Sequence, residues 1–257
     1  MTDTTITITF GDQAENHVGM QKLGQMATQG FTLADIQQAK NLFEASGYVC
    51  EFIKLHKAIP NPAEKAAVLI VRGGADCLLE DWDANSDDML FEQQLMEWDS
   101  KAKMYGKVVN KHARYNLCYG DVGQEPDYPN GLGRIIKFDG VPCTKIIRNK
   151  LPEYFGAKAA DLVAEGNMYY DISRCGIGFH GDSERKKVIA VRLGASMPLH
   201  YQWFYRNNPV GSRIKLELNN GDLYAMSEKA VGTDWKQSSI FTLRHAAGCQ
   251  KYLTIKN

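Results

Sequence analysis

Residues 165–257 are a series of short apolar or alternating segments separated by turn residues. The turn residues are Asn207-Asn208-Pro209, Asn219-Asn220-Gly221 and Gly248, and the Asn220-Gly221 step is typical of a hairpin turn. Several short strands with turns between them predict an antiparallel sandwich or a jelly roll. The segments of strand length are Val188–Leu193, Leu199–Arg206, Arg213–Leu218, Asp222–Met226, Phe241–Ala246 and Tyr252–Lys256.

The N-terminal part of the chain mixes strand and helix patterns. Thr5–Thr9 alternates and predicts a short strand, and Thr32 with Asp35 predicts the capped start of a helix. We interpret residues 1–85 as an N-terminal α/β extension of unknown role, and residues 86–257 as the core of an α+β fold. The further predicted elements are helices over residues 20–26 and 32–45, and strands over residues 49–55 and 66–71.

Length and charge narrow the classes of protein to consider. The chain has 257 residues, enough for one large domain or for a core with a smaller unit. Its 30 basic and 30 acidic residues cancel, so contact with a nucleic acid would have to be local. The six cysteines form no C-x-x-C pair, which favours free thiols over zinc-finger chemistry.

The chain contains no long apolar run and no secretory pattern at its start. We therefore predict a soluble monomer of the cytoplasm or nucleus that does not insert into a membrane.

His180-Gly181-Asp182 places an imidazole and a carboxylate two residues apart, just before a predicted strand. Residues i and i+2 of an extended segment share a face, so both side chains can reach one ion. His245 lies in a later predicted strand that a jelly roll can bring beside this turn. Two histidines and one carboxylate form a facial site that leaves positions open on a non-haem Fe(II).

Four segments in order resemble the AlkB family of Fe(II)/2-oxoglutarate dioxygenases, over residues 88–257. Residues 1–85 lie outside the resemblance. The segments are LFEQQLMEWDSKAKMYGKVVNKHARYNLCYGD, NMYYDISRCGIGFHGDSERKKVIAVRLG, GDLYAMSEKAVGTDW and HAAGCQKYLTIK.

The resemblance implies a jelly-roll core, a double-stranded β-helix flanked by helices. It also implies Fe(II) held by His180, Asp182 and His245, with 2-oxoglutarate and O2 as cosubstrates. In the family the distal histidine follows the third segment closely, where this chain has Lys236 and Gln237. The distal ligand is therefore either His245 or a residue near Lys236.

The same resemblance implies residues that bind 2-oxoglutarate. With His245 as ligand, Lys256 or Lys251 would pair with the distal carboxylate, and with the other register Arg244 would do so. Tyr170 matches the tyrosine that hydrogen-bonds the cosubstrate, and Asn167 or Tyr169 would assist.

An alkylated nucleobase in DNA or RNA is the substrate class that the resemblance implies. A lid over residues 105–135 would recognise it through Arg114, Tyr119 and Asp121, and basic residues lie near the lid and after the metal turn. Two alternatives stay open: a dioxygenase of a small molecule or protein side chain, and a non-catalytic nucleic-acid-binding relative. The basic residues are Lys101, Lys103, Lys107, Lys111, Arg185, Lys186 and Lys187.

Overall fold

The computed structural model describes residues 3–60 and 64–255, which form sixteen strands and six α-helices. The strands are β1 (Thr5–Gly11), β2 (Gln13–Glu15), β3 (Lys22–Gly24), β4 (Cys50–Lys54), β5 (Ala67–Val71), β6 (Lys101–Met104), β7 (Lys107–Asn110), β8 (Tyr115–Gly120), β9 (Ile135–Lys137), β10 (Val163–Tyr169), β11 (Gly176–His180), β12 (Val188–Gly194), β13 (Leu199–Tyr205), β14 (Asn208–Leu216), β15 (Leu223–Met226) and β16 (Thr242–Gly248). The helices are α1 (Leu33–Ala45), α2 (Gly74–Leu79), α3 (Ser86–Gln94), α4 (Pro142–Phe155), α5 (Glu228–Val231) and α6 (Gln250–Leu253).

The N-terminal strand β1 lies in the middle of the largest sheet. This eight-stranded sheet has the order β4-β5-β15-β12-β1-β10-β8-β9, and β1 pairs antiparallel with both β10 and β12. The strands β4 and β5 extend the same sheet beyond β15. The first 85 residues thus supply three of its eight strands, so the expected division at residue 85 does not separate an extension from the sheet.

One face of the main sheet packs on helices. Ile6, Ile8 and Phe10 of β1 point to this face, as do Val191 and Leu193 of β12. They meet buried residues of α1 to α4 in the larger hydrophobic core. The predicted helix start is confirmed, because Thr32 caps α1 in a capping box with Asp35.

The other face of the main sheet packs on a four-stranded sheet of order β11-β16-β13-β14. Tyr201 and Trp203 of β13 join Val188 and Ala190 of β12 in a second core between the sheets. The fold is therefore α+β, with strands in two packed sheets and helices outside the larger one. None of its helices, over the residues described, has the length and apolar character needed to cross a bilayer.

Three sequence-based elements differ in the structure. Residues 20–26 form no helix, because Lys22–Gly24 pairs with β2 and Gly24 has a positive φ of 78°. The Asn220-Gly221 turn joins β14 to β15, which lie in different sheets, so it closes no hairpin. The predicted last strand, 252–256, begins instead within α6.

Candidate metal centre

The histidines His180 and His245 lie opposite each other on neighbouring strands of the smaller sheet. A register shift in β11 before His180 brings it opposite His245 of β16. The Nε2 atoms of both imidazoles lie 3.4 Å from Oδ1 of Asp182. The three side chains have ligand atoms within 4.8 Å of one another and could hold one metal ion.

Hydrogen bonding and burial leave both imidazoles ready to bind a cation. Nδ1 of His180 lies 2.8 Å from the carbonyl oxygen of Gly178, so a proton on Nδ1 would leave the Nε2 lone pair free. Burial lowers the pKa of His245, and the nearby His180 lowers it further. A neutral imidazole is the form that a metal requires.

Gly181 separates two of the candidate ligands because no larger residue fits there. A Cβ at this position would lie 2.0 Å from the carbonyl oxygen of Gly232. The backbone N–H of Asp182 donates to the carbonyl of Val231 at 3.0 Å. The metal turn is therefore packed tightly against the end of α5.

Arg185 holds the carboxylate of Asp182 in position. Its Nε lies 3.5 Å from Asp182 Oδ2, and its Nη2 contacts Glu165 and Glu184. Burial opposes ionisation of Asp182, but Arg185 and both histidines outweigh it and hold the pKa of this carboxyl well below its usual range. Asp182 is thus an anion that can offset part of a metal's charge.

We expect Arg185→Met to lower the free energy of unfolding by about 3–5 kcal/mol, because it leaves the buried Glu165 and the partly buried Glu184 without their cation. Urea denaturation at pH 7 measures this loss. The loss should be smaller at pH 5, because burial already raises the pKa of Glu184 and the variant removes the cation that opposes this, so that Glu184 is protonated more easily. Arg174→Met is the matched control: its 73% exposed side chain contacts Asp171 at 4.0 Å, and a change within about 0.5 kcal/mol is expected. Equal losses in the two variants would contradict the role of Arg185.

A cavity of about 640 Å³ between the two sheets contains the three candidate ligands. Its wall from the main sheet is polar because the strands alternate. Thr7 and Thr9 of β1 and Asn167 of β10 face the cavity, whereas Ile6 and Ile8 face the helices. Arg192 of β12 also lines it, with its Nε and Nη1 buried and unpaired.

The structure places few of the predicted 2-oxoglutarate residues in this cavity. Asn167 lines it, but Lys256 lies outside the described residues. Lys251 is exposed on α6, with its Nζ 5.5 Å from the ring centre of Tyr252. Arg244 neighbours His245 on β16, so strand alternation turns it to the opposite face. There its Nη2 donates to Asn207 and its guanidinium covers Phe204.

The structure places Tyr169, and not Tyr170, on the wall of the cavity. Tyr169 is buried on the cavity wall, whereas Tyr170 follows the strand, stacks on Tyr115 and donates to the carbonyl of His112. A shift of one residue moves a side chain to the other face of a strand. Tyr169 and Asn167 together form the tyrosine and asparagine pair of β10.

The three residues predicted to bind the substrate lie in different parts of the structure. Arg114 lines the cavity and its Nε donates to Asn167 at 2.6 Å. Tyr119 is fully buried in the core on the helix side of β8, where its hydroxyl contacts Gln93. Asp121 is 72% exposed and paired with Arg148. Because β8 belongs to the main sheet, residues 105–135 do not form one continuous lid.

Arg192 is the cavity residue that the sequence-based predictions missed, and Arg185 is one that they named only as a basic residue near the substrate. Arg192 interrupts the apolar strand VIAVRLG, which is an unusual place for a cation, and that signal alone marks it as a candidate. Arg185 stands in a basic run that resembles a solvated turn, and only its tertiary contacts reveal its burial.

The structure also bears on which residue is the third metal ligand. The structure brings His245 beside His180 and Asp182, while Lys236 is exposed at the cavity wall with its Nζ 5.6 Å from the Trp235 ring centre. The arrangement favours the His245 register.

The chain is similar to a viral protein. The uncharacterized protein R156 of Acanthamoeba polyphaga mimivirus is 50% identical to the chain over 253 residues, which is 97% of each protein. The chain belongs to the family of this viral protein. The relative's name states no activity, so membership assigns none to the chain. No protein-family model matches the chain.

Proposed function

We propose that the chain is an Fe(II)/2-oxoglutarate-dependent dioxygenase of the AlkB-like class, with a double-stranded β-helix core formed by its two packed sheets. The observation that carries this proposal is the convergence of His180, Asp182 and His245 in a polar cavity between those sheets. Two imidazoles and one carboxylate suit Fe(II) and leave positions open for a cosubstrate and oxygen.

The side chains present fit such an ion. Nδ1 of His245 is buried without a partner, and its Nε2 faces Asp182 together with Nε2 of His180. When bound, Fe(II) with 2-oxoglutarate supplies the oxidation of a substrate C–H bond by O2, with succinate and CO2 as coproducts. The protein's own share is to keep His245 neutral, orient Asp182 through Arg185 and exclude water from the cavity.

An alkylated nucleobase in DNA or RNA is the substrate class that we propose. Arg114 lies on the cavity wall, and β6 and β7 form a separate hairpin that carries Lys101, Lys103 and Lys107. Within the described ranges these three lysines form no ion pair with a carboxylate, and Tyr105 at the turn of the hairpin is 98% exposed. Free cations and exposed aromatic rings are the groups that bind single-stranded nucleic acids.

Succinate formed from 2-oxoglutarate with Fe(II) in air tests the proposal. We expect turnover that stops when a chelator removes the iron, and that rises when a methylated oligodeoxynucleotide or oligoribonucleotide is added. Free methylated nucleosides at matched concentration should stimulate less, because they lack the phosphates that the lysines would bind.

The other outcomes assign the alternative functions. Equal stimulation by nucleosides and oligonucleotides would indicate a small-molecule dioxygenase. Oligonucleotide binding without iron binding or succinate would indicate a non-catalytic relative, and would contradict the proposal.

A further inference from the structure

Arg192 is a buried cation without a carboxylate partner among the residues that the structure describes. Its side chain lies on β12 with 1% of its surface exposed, and its Nε and Nη1 have no hydrogen-bond acceptor. Across residues 3–60 and 64–255, no carboxylate forms an ion pair with it. A buried charge that is left unpaired is costly, so this position favours an anion that binds from outside the chain.

The unpaired guanidinium faces the cavity of the metal centre. Val188, Ala190 and Arg192 alternate with core residues on β12, and all three point between the sheets. Thr7 lies directly opposite Arg192 in the sheet. Tyr224 is close by: burial raises the pKa of this tyrosine to about 12, and Arg192 only partly opposes that effect. A protonated hydroxyl beside the cation is a further donor for an anion.

The carboxylates that share the cavity are already engaged elsewhere. Glu165 and Glu184 contact Arg185, and Asp182 lies beside Arg185 and the two histidines. Glu15, which also lines the cavity, accepts a hydrogen bond from the backbone N–H of Gly19. Arg192 therefore has no internal acid available to neutralise it.

The strand β1 occupies the place between β10 and β12 in the main sheet. In the main sheet β12 pairs with β1 and β15, and β10 pairs with β1 and β8. Both inner edges are filled, so no further strand can pair between β10 and β12. The N-terminal strand fills that place and brings threonines, without a cation of its own.

We infer that Arg192 binds the distal carboxylate of 2-oxoglutarate, so that the anchoring cation comes from β12 in the middle of the sheet. The inference rests on the proposed function, because it assigns one end of that cosubstrate to a residue of the same cavity. A guanidinium whose Nε and Nη1 are both free suits a carboxylate, since the pair forms charge-assisted hydrogen bonds in a fixed geometry.

Calorimetric titration of the protein loaded with Mn(II), without oxygen, tests the inference. Two ligands are compared: 2-oxoglutarate and 2-oxobutyrate, which has the same 2-oxo acid group but no second carboxylate. We expect wild type to bind 2-oxoglutarate about 10- to 100-fold more tightly. Arg192→Met should bind both ligands with the weaker affinity, and Arg192→Lys should recover part of the difference.

Two controls separate binding from structure. Arg244→Met removes the arginine next to His245 from the opposite face of β16 and should keep the wild-type preference. Without ligand, Arg192→Met should unfold at the same temperature as wild type or higher, because it removes an unpaired buried charge. A purely structural arginine would instead give a less stable variant that still prefers 2-oxoglutarate.

The possible failures are distinguishable. If metal-loaded wild type binds neither 2-oxo acid, the proposed function fails and the inference fails with it. If wild type binds both equally, or Arg192→Met retains the preference, the inference alone is overturned.

Discussion

Replacing His245 with alanine is expected to abolish the formation of succinate from 2-oxoglutarate, by more than about 100-fold, since loss of an outer-shell partner alone costs roughly 10- to 100-fold. His245 supplies one of three ligand atoms that lie within 4.8 Å of one another, and its side chain is 8% exposed in the cavity. Removing it leaves one imidazole and one carboxylate, too few to hold the metal in a fixed geometry.

Lys236→Ala is the matched control for this variant, because Lys236 lines the same cavity and stands where the alternative register places the ligand. Its turnover should stay within a few-fold of wild type. Binding of Mn(II), followed by calorimetry, should be lost in His245→Ala and kept in Lys236→Ala. The reverse pattern would assign the third ligand to the Lys236 region, and thermal unfolding of both variants shows whether each is folded.

A truncated protein that begins at residue 86 is expected not to fold. It lacks β1, β4 and β5, and β1 is hydrogen-bonded on both edges in the middle of the main sheet. Its loss would expose the inner edges of β10 and β12 and remove Ile6, Ile8 and Phe10 from the larger core. Circular dichroism during urea titration should show no cooperative transition.

A point substitution tests how much β1 contributes to stability without removing the strand. Ile8→Ala should lower the free energy of unfolding by about 2–5 kcal/mol, because Ile8 is fully buried. Val49→Ala, at a side chain that is 68% exposed, should change it by less than about 0.5 kcal/mol. Cooperative unfolding of the protein that starts at residue 86 would show that residues 1–85 are a separable extension after all.

Local chemistry made several elements predictable. The alternation of Thr5–Thr9 indicates a strand with one apolar face, and Thr32 with Asp35 marks the first turn of α1. The Asn207-Asn208-Pro209 turn falls where β13 and β14 meet, with positive φ values at Arg206 and Asn207. Each of these signals acts within a few residues, so no distant contact is needed to interpret it.

The candidate metal ligands could be predicted from the sequence only in part. His180 and Asp182 are neighbours in sequence, and their side chains can meet an ion on any turn of this kind. His245 needs a specific strand pairing, and its assignment depended on the order of motifs along the chain. The structure places it opposite His180 through the register of β11 and β16.

The amino-acid sequence by itself determined the strand-rich C-terminal part, the capped helix α1 and the pairing of His180 with Asp182 at the candidate metal centre. Only the tertiary structure decided that β1 lies between β10 and β12, that His245 joins the other two candidate ligands, that Tyr169 rather than Tyr170 faces the cavity, and that Arg192 is buried there with two nitrogens unpaired. The physical reason is that backbone hydrogen bonds between strands are the same for every sequence. Which strands pair, and in which register, depends on side chains far apart in the chain, and one residue of shift reverses every face.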